Sequence, residues 1–205
     1  MFMLLLAGFK TLLHRYAGQD DVVIGSPIAG RNTTEIENLI GFFVNTLVFR
    51  TDFSGAPSFK GLLSRVRKVA LEAYTHQDLP FEKLVEELQP ERSLDRTPLF
   101  QSMFVFQNVP MPALAFDGLE IAPFEVDYGT AKFDLLLNLW EWPDSIGGLF
   151  QYDTDLFDAT TIARMAGHLN ALLENAAAYP ERPVWALDLL SRSERQQLLV
   201  DWNDT

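Results

Sequence analysis

One stretch constrains the fold of this chain more than any other, the sequence IGFFVNTLVFR from Ile40 to Arg50. It is almost wholly apolar and rich in Phe and Val, which suit a pleated, packed surface better than a helix. It is also short and has Gly41 at its head. The stretch therefore predicts a strand that is buried on both faces of a sheet.

Asn45 is the polar exception within this strand. If the strand is continuous, the side chains of Phe43, Leu47 and Phe49 lie on the same face of it as Asn45. A buried amide left without hydrogen-bond partners costs about 1–3 kcal/mol. Two interpretations stay open: neighbouring backbone satisfies the amide, or the amide faces a cavity in which a substrate or reacting group binds.

Composition excludes several classes of partner. The 205 residues are 48% hydrophobic, enough for one sizeable core, and 16 basic against 28 acidic side chains give a net charge of −12. Such an acidic surface repels phosphate backbones and anionic membranes, so we expect no nucleic acid and no membrane partner. The absence of Cys excludes disulfides, thiolate metal sites and a Cys nucleophile. With no sign of secretion, the expected location is cytoplasmic.

The rest of the sequence predicts alternating helices and strands, followed by a cluster of strands. The predicted elements are a helix ending at Gly18, strand 22–28, a short helix to Leu39, an amphipathic helix after Pro57, a shorter helix ended by Pro90, strand 99–107, an edge strand at 118–126, paired strands 132–142 and 148–152, and a long helix 159–179. This order predicts an α/β (α+β) two-layer sandwich, with a mixed sheet and helices packed on it.

The segment HQDLPFE, from His76 to Glu82, predicts the start of the shorter helix. Asp78 is the expected capping residue, Pro80 lies in the expected first turn before Phe81, and Glu82 complements the helix dipole. We interpret these residues as structural.

Considered alone, the residues specify no complete active site. His14 and His168 lie in predicted helices and are interpreted as structural. A near match to a phosphate-binding loop begins at Gly25, but Arg31 stands where that loop needs Lys. No metal site is predicted, because Asp153 and Asp155 alone are too few ligands for a hard cation.

Several motifs nevertheless resemble those of one family. Segments 40–50, 76–88 and 92–108, together with 22–31 and 129–139, resemble ordered signature motifs of the condensation domains of nonribosomal peptide synthetases. These domains are pseudo-dimers of two lobes with the chloramphenicol-acetyltransferase-like fold. The last residues, 191–205, resemble the start of a linker toward an adenylation domain.

The resemblance implies a particular half of that domain. The catalytic HHxxxDG motif of the N-terminal lobe does not occur in this sequence, so residues 1–190 resemble the C-terminal lobe, which we expect to be inactive alone. The implied parent reaction is attack of an acceptor amine on a donor thioester. Both substrates are carried on 4′-phosphopantetheine arms and meet in a tunnel between the lobes, so the implied partners are the N-terminal lobe, carrier domains and the adjacent adenylation domain. No cofactor is expected on this chain itself.

The resemblance also implies roles for individual residues. Asn45 is expected to face the tunnel and hydrogen-bond a substrate amide or the pantetheine arm, with Phe43 and Thr46 as neighbours. The segment 109–130 is expected to cross to the other lobe.

Other motif residues are expected to be structural. These are Gly41, Arg50, Arg96 and Pro98, together with the helix start at residues 76–82. Arg96 is expected to pair with a nearby carboxylate.

Alternative functions remain open. The chain can be a carrier-docking scaffold without catalysis, an epimerisation or heterocyclisation relative, or an acyltransferase of the same fold from another pathway. A lone lobe exposes the apolar surface that its partner covers, so we also expect the isolated chain to self-associate.

Overall fold

The computed structural model contains a mixed five-stranded sheet with helices packed on it. It describes residues 1–31, 33–37, 39–91, 96–107, 118 and 129–204, with Arg192 described by its backbone only. The elements are α1 Phe2–Ala17, β1 Asp21–Ile28, α2 Thr34–Glu37, β2 Asn45–Asp52, α3 Phe59–Thr75, α4 Phe81–Leu88, β3 Ser102–Gln107, β4 Leu135–Glu141, β5 Ile146–Tyr152, α5 Ala159–Ala178 and α6 Arg192–Gln196. A 3-10 turn, Val184–Ala186, precedes α6, and a π-helical turn, Gln197–Asp201, follows it. The predicted α/β class is confirmed.

The described strands lie in the order β2-β1-β3-β4-β5. The central pairs β1–β3 and β3–β4 are parallel, whereas β2 and β5 run antiparallel to their neighbours. Asn45, the first residue of β2, therefore pairs with Ile28 at the carboxyl end of β1.

The core forms between the sheet and the three long helices. Helix α1 contacts α3, α5 and β1, and its Phe9 ring stacks on Phe104 of β3 at 6.0 Å. The amphipathic helix predicted after Pro57 is confirmed as α3, which buries Phe59, Leu62, Val66 and Ala70, with Leu63, Val69 and Ala73 partly buried against them. The predicted long helix is α5, whose buried apolar face consists of Ile162, Met165, Leu169, Leu172 and Ala176.

The long helices begin and end where local sequence signals place them. Gly18 ends α1 with a φ of 65°, a left-handed conformation that favours glycine. The hydroxyl of Ser58 accepts from the Gly61 amide at the start of α3. The carboxylate of Asp158 accepts from the Thr161 amide at the start of α5.

The predicted start of α4 is two residues too early. The helix begins at Phe81, and its N-cap residue is Pro80, which makes no capping hydrogen bond with its own side chain. Asp78 therefore lies two residues before the N-cap, and Pro80 lies outside the first turn. The backbone at Pro80 is extended, with ψ at 141°, so the helix starts only after it.

The strand predicted at Ile40 is also shorter and less buried than expected. Pairing with β1 ends at Ile28, so β2 starts at Asn45, and the residues before it leave the sheet. Ile40 is fully exposed and Phe42 is 90% exposed. β2 is an edge strand of the described sheet and buries one face, so the prediction of burial on both faces is wrong. Phe43 therefore does not share a strand face with Asn45.

Of the predictions for the second half of the chain, the paired strands are confirmed, whereas the edge strand and the crossing segment fall largely outside the described residues. The paired strands are confirmed as β4 and β5, which pair antiparallel from Leu135↔Tyr152 to Glu141↔Ile146. The predicted edge strand 118–126 and the crossing segment 109–130 lie outside the described residues, apart from residues 118, 129 and 130.

A buried lysine ties α1 to the sheet. Lys10 is fully buried, and its Nζ donates to the carbonyl oxygens of Val22 at 3.0 Å and Phe49 at 2.6 Å. Burial lowers the pKa of Lys10 from 10.5 to about 7, and the negative charge of Asp21 opposes this change only in part. One amino group thus bridges β1 and β2 from the helix above them.

Lys10 makes stability depend on pH in a defined direction. Between pH 7 and 10.5 the unfolded chain holds a proton that the folded chain has lost, so the free energy of unfolding rises with pH across this window. The slope from one such group is at most about 1.4 kcal/mol per pH unit. We predict that Lys10→Met removes this slope in urea unfolding measured at several pH values.

The exposed Lys68 on α3 provides the matched control. Lys68→Met should keep the slope of the unchanged protein. Equal slopes in Lys10→Met and the unchanged protein would contradict the lowered pKa of Lys10.

Candidate functional site

A cavity of about 380 Å³ lies where the start of β2 meets the start of α4. The predicted site residues Phe43, Asn45 and Thr46 line one side of it. Residues from the second motif line the other side: Gln77, Asp78, Pro80, Phe81 and Glu82. The fold therefore brings together two motifs that are about thirty residues apart in sequence.

The side-chain amide of Asn45 joins these two sides. Its Oδ1 accepts from the backbone amides of Thr46 at 2.9 Å and Phe81 at 3.0 Å. Its Nδ2 donates to the carbonyl oxygens of Gln77 and Leu79, each at 2.8 Å. An asparagine side chain offers two donors and one oxygen with two lone pairs, so all four positions are filled by backbone. This arrangement matches the first interpretation of Asn45, in which backbone groups satisfy the amide.

Asn45 supplies the cap that α4 lacks locally. The amide of Phe81 is the first N–H of the helix, and the oxygen that accepts from it comes from 36 residues earlier in the chain. An orphan N–H at a helix start needs such an acceptor. Sequence reasoning placed the cap at Asp78 because local signals were all that it could use. The one sequence signal for this capping role was the amide side chain of Asn45 within an apolar segment.

Arg31 holds the loop around α2. Its guanidinium donates to the carbonyl oxygens of Ile36, within α2, at 2.6 Å and of Leu39, after α2, at 2.8 Å. It also lies 4.5 Å from the centre of the Phe43 ring, a cation–π distance. Sequence reasoning noted Arg31 only as a departure from a phosphate-binding loop and missed this role.

Gly30 makes the close approach of this loop possible. Its φ of 63° is left-handed, and a Cβ atom at this position would overlap the carbonyl oxygen of Phe43. A side chain at residue 30 would therefore push Phe43 away from the cavity.

Other predicted residues lie outside this cavity lining. Arg50 forms an exposed ion pair with Asp21 of the neighbouring strand, at 2.8 Å between Nη2 and Oδ2. His76 is the C-cap residue of α3. Arg96 and Pro98 precede β3, and the ion pair expected for Arg96 stays a prediction.

Gly41 lies in the exposed segment before β2, and an added Cβ would stand 3.0 Å from the Phe43 ring. The structural role expected for Gly41 stays a prediction. It does not itself line the cavity.

The described part of the chain offers little to a metal ion or a lipid bilayer. No group of three or more His, Cys, Asp or Glu side chains in it is placed to hold a metal. No helix within the described ranges is long and apolar enough to cross a membrane.

Comparison with known proteins assigns the family. The family model described as "Condensation domain" matches residues 1–199. The chain belongs to the condensation-domain family. Relatives that match along the whole chain include a linear gramicidin synthase protein of Brevibacillus parabrevis, at 56% identity, and malpinin synthetase of Mortierella alpina, at 51%. The chain spans only 3% of the length of each of these two proteins.

Solved condensation-type structures share the fold. A four-domain nonribosomal peptide synthetase bound to AMP and glycine superposes with a TM-score of 0.85 at 26% identity, covering 94% of this chain and 16% of that one. The X-domain from teicoplanin biosynthesis gives 0.82 at 32% identity, covering 93% of this chain and 44% of that one. The sheet and helices described above thus have the condensation-type, chloramphenicol-acetyltransferase-like fold. The match covers less than half of the X-domain chain.

The bonding of Asn45 predicts a local loss of order when its side chain is removed. Asn45→Ala leaves four backbone groups without partners, and we expect it to lower the free energy of unfolding by about 2 kcal/mol. Hydrogen exchange should rise most at residues 77–84. Gln107→Ala, which removes one exposed 3.3 Å side-chain bond to Asn138, is the control. Equal effects of the two substitutions would contradict the capping role of Asn45.

Proposed function

We propose that this chain is the C-terminal lobe of a condensation domain that forms an amide bond between carrier-bound thioesters once it is joined to its N-terminal lobe. The observation that carries this proposal is a cavity built from two condensation-domain motifs and tied together by Asn45. Membership of the family over residues 1–199 supports it. The sequence contains no HHxxxDG motif, so the chain alone is inactive in this proposal.

The reaction is an acyl transfer from sulfur to nitrogen. The acceptor amine attacks the carbonyl carbon of the donor thioester, a C–N bond forms and the C–S bond breaks. The donor carrier keeps its phosphopantetheine as a free thiol, and the amine loses one proton. The histidine motif of the other lobe is the proposed catalytic partner, and this chain contributes substrate position.

Asn45, Phe43 and Thr46 are proposed to form part of the wall of the substrate tunnel. Asn45 acts mainly as a positioning residue, because its amide is already bonded to backbone on both sides of the cavity. A direct hydrogen bond from Asn45 to a substrate amide or pantetheine arm would replace one of these bonds and stays a prediction. Phe43, held by Arg31, presents an aromatic surface at the same opening.

The partners follow from the same proposal. Residues 1–190 form the lobe that meets the N-terminal lobe and the carrier domains, and residues 191–205 begin the linker toward an adenylation domain. The 4′-phosphopantetheine belongs to the carriers and not to this chain, and the proposed location is the cytoplasm.

A reconstitution experiment tests the proposed function. The chain is combined with the N-terminal lobe that carries the histidine motif, together with loaded donor and acceptor carriers, and the amide product is followed by mass spectrometry. We expect product from the two lobes together and none from either alone. Product from this chain alone would contradict the proposal. Carrier binding without product from the paired lobes would favour the scaffold alternative.

The same assay tests Asn45 in the two-lobe domain. We predict that Asn45→Ala lowers the single-turnover rate about tenfold or more while the domain stays folded, because misplaced reacting groups lose rate steeply. Gln107→Ala, which lies outside the cavity lining, should keep the rate. A rate unchanged by Asn45→Ala would contradict the tunnel role.

A further inference from the structure

A chain of hydrogen bonds joins three elements on a side of the molecule away from the Asn45 cavity. The phenol of Tyr16 on α1 lies 2.7 Å from Nδ1 of His168 on α5. Nε2 of His168 lies 3.0 Å from Oε1 of Glu194 on α6. His168 is 9% exposed, so its ring is held in the body of the lobe. These hydrogen bonds therefore connect the lobe to residues 191–204, which we name the tail.

Glu194 has a second task within the tail itself. Its Oε2 accepts from the Ser191 amide at 2.8 Å, and its own amide donates to the Ser191 hydroxyl at 3.2 Å. These two bonds form a capping box at the start of α6. One carboxylate thus both closes the helix and contacts the lobe.

Apolar packing contributes little to holding the tail. Leu198 is 39% exposed, Leu199 is 60% exposed and Trp202 is 66% exposed. A cavity of about 770 Å³ lies between the tail and helices α1 and α5. Arg195 pairs with Asp188 at 3.5 Å, but an exposed pair of this kind contributes little.

The segment before the tail is fixed separately. The guanidinium of Arg15 on α1 donates to the carbonyl oxygens of Val184 at 3.1 Å and Leu187 at 2.9 Å. The chain is therefore anchored up to Leu187, whereas the tail beyond it depends on Glu194.

We propose that the contact between Glu194 and His168 is a releasable latch that holds the tail on the lobe, so that the tail detaches as a unit when the contact breaks. If the tail begins a linker, as the proposed function has it, the latch sets the direction in which that linker leaves the lobe. This consequence rests on the proposed function, whereas the latch itself rests only on the contacts above.

The ring of His168 can serve both contacts at once. With its proton on Nε2, the ring donates to Glu194 and its Nδ1 accepts from Tyr16. The Ser191 hydroxyl and amide, and to a smaller degree His168, lower the pKa of Glu194, so its carboxylate is charged at neutral pH. The other charged or titratable groups lining the cavity are Arg15, Tyr16, Arg164, Asp188 and Arg195.

Hydrogen exchange of the full chain tests the latch. A helix as short as the tail is unstable in water by itself, so detachment exposes its amides to exchange. His168→Phe removes the acceptor and donor of the ring while keeping much of its volume. A charge-assisted hydrogen bond of this kind corresponds to a change on the order of tenfold in the attached fraction. We expect about tenfold faster exchange across residues 192–202, with exchange in α1 and α5 unchanged.

Two further variants separate the latch from the helix cap. Ser191→Ala weakens the capping box but leaves His168 and Glu194 in contact, so exchange should rise only in the first turn of α6. Glu194→Ala removes the tail's side of the contact, so it should raise hydrogen exchange over the whole tail as His168→Phe does.

A folded His168→Phe variant with unchanged exchange in the tail would overturn the proposal. If His168→Phe does not fold, equal exchange in Glu194→Ala and Ser191→Ala would overturn it instead. The measurement involves no amide formation, so failure of the latch and failure of the proposed function are separate results.

Discussion

The amide of Asn45 is the interaction on which the candidate site depends. Pro80 leaves α4 without a capping side chain of its own, and the turn before it presents two carbonyl oxygens to the same point. A single asparagine at the first residue of β2 satisfies the helix amide and both carbonyls at once. The sheet therefore sets the position of α4, and the cavity between them has walls that cannot move independently.

The same kind of contact recurs elsewhere: an amino or guanidinium group of one element donates to backbone carbonyls of another. Lys10 bridges Val22 and Phe49, and Arg15 fastens the segment before the tail. Arg31 closes the loop after α2. Unpaired buried carbonyls are costly, so each of these side chains stabilises the backbone that it contacts.

The parts of the fold that were predictable from sequence rest on local information. The stripes of α3 and α5 follow from helical spacing, and Ser58 and Asp158 cap within three residues. The start of β2 was not predictable in this way, because it is set by where pairing with β1 ends. Apolar composition also could not tell that Ile40 lies outside the sheet, fully exposed. The sequence singled out Asn45 as an amide among apolar residues, but its bonds to residues 77–81 could not be predicted, because they join segments far apart in sequence.

Both ends of the Asn45 amide are bonded to the start of α4, and nuclear magnetic resonance of the Asn45 side-chain NH₂ group tests this bonding most directly. We expect slow solvent exchange of both Nδ2 hydrogens, with scalar couplings across the hydrogen bonds to the carbonyl carbons of Gln77 and Leu79. Exchange as fast as that of an exposed asparagine amide, without these couplings, would contradict it.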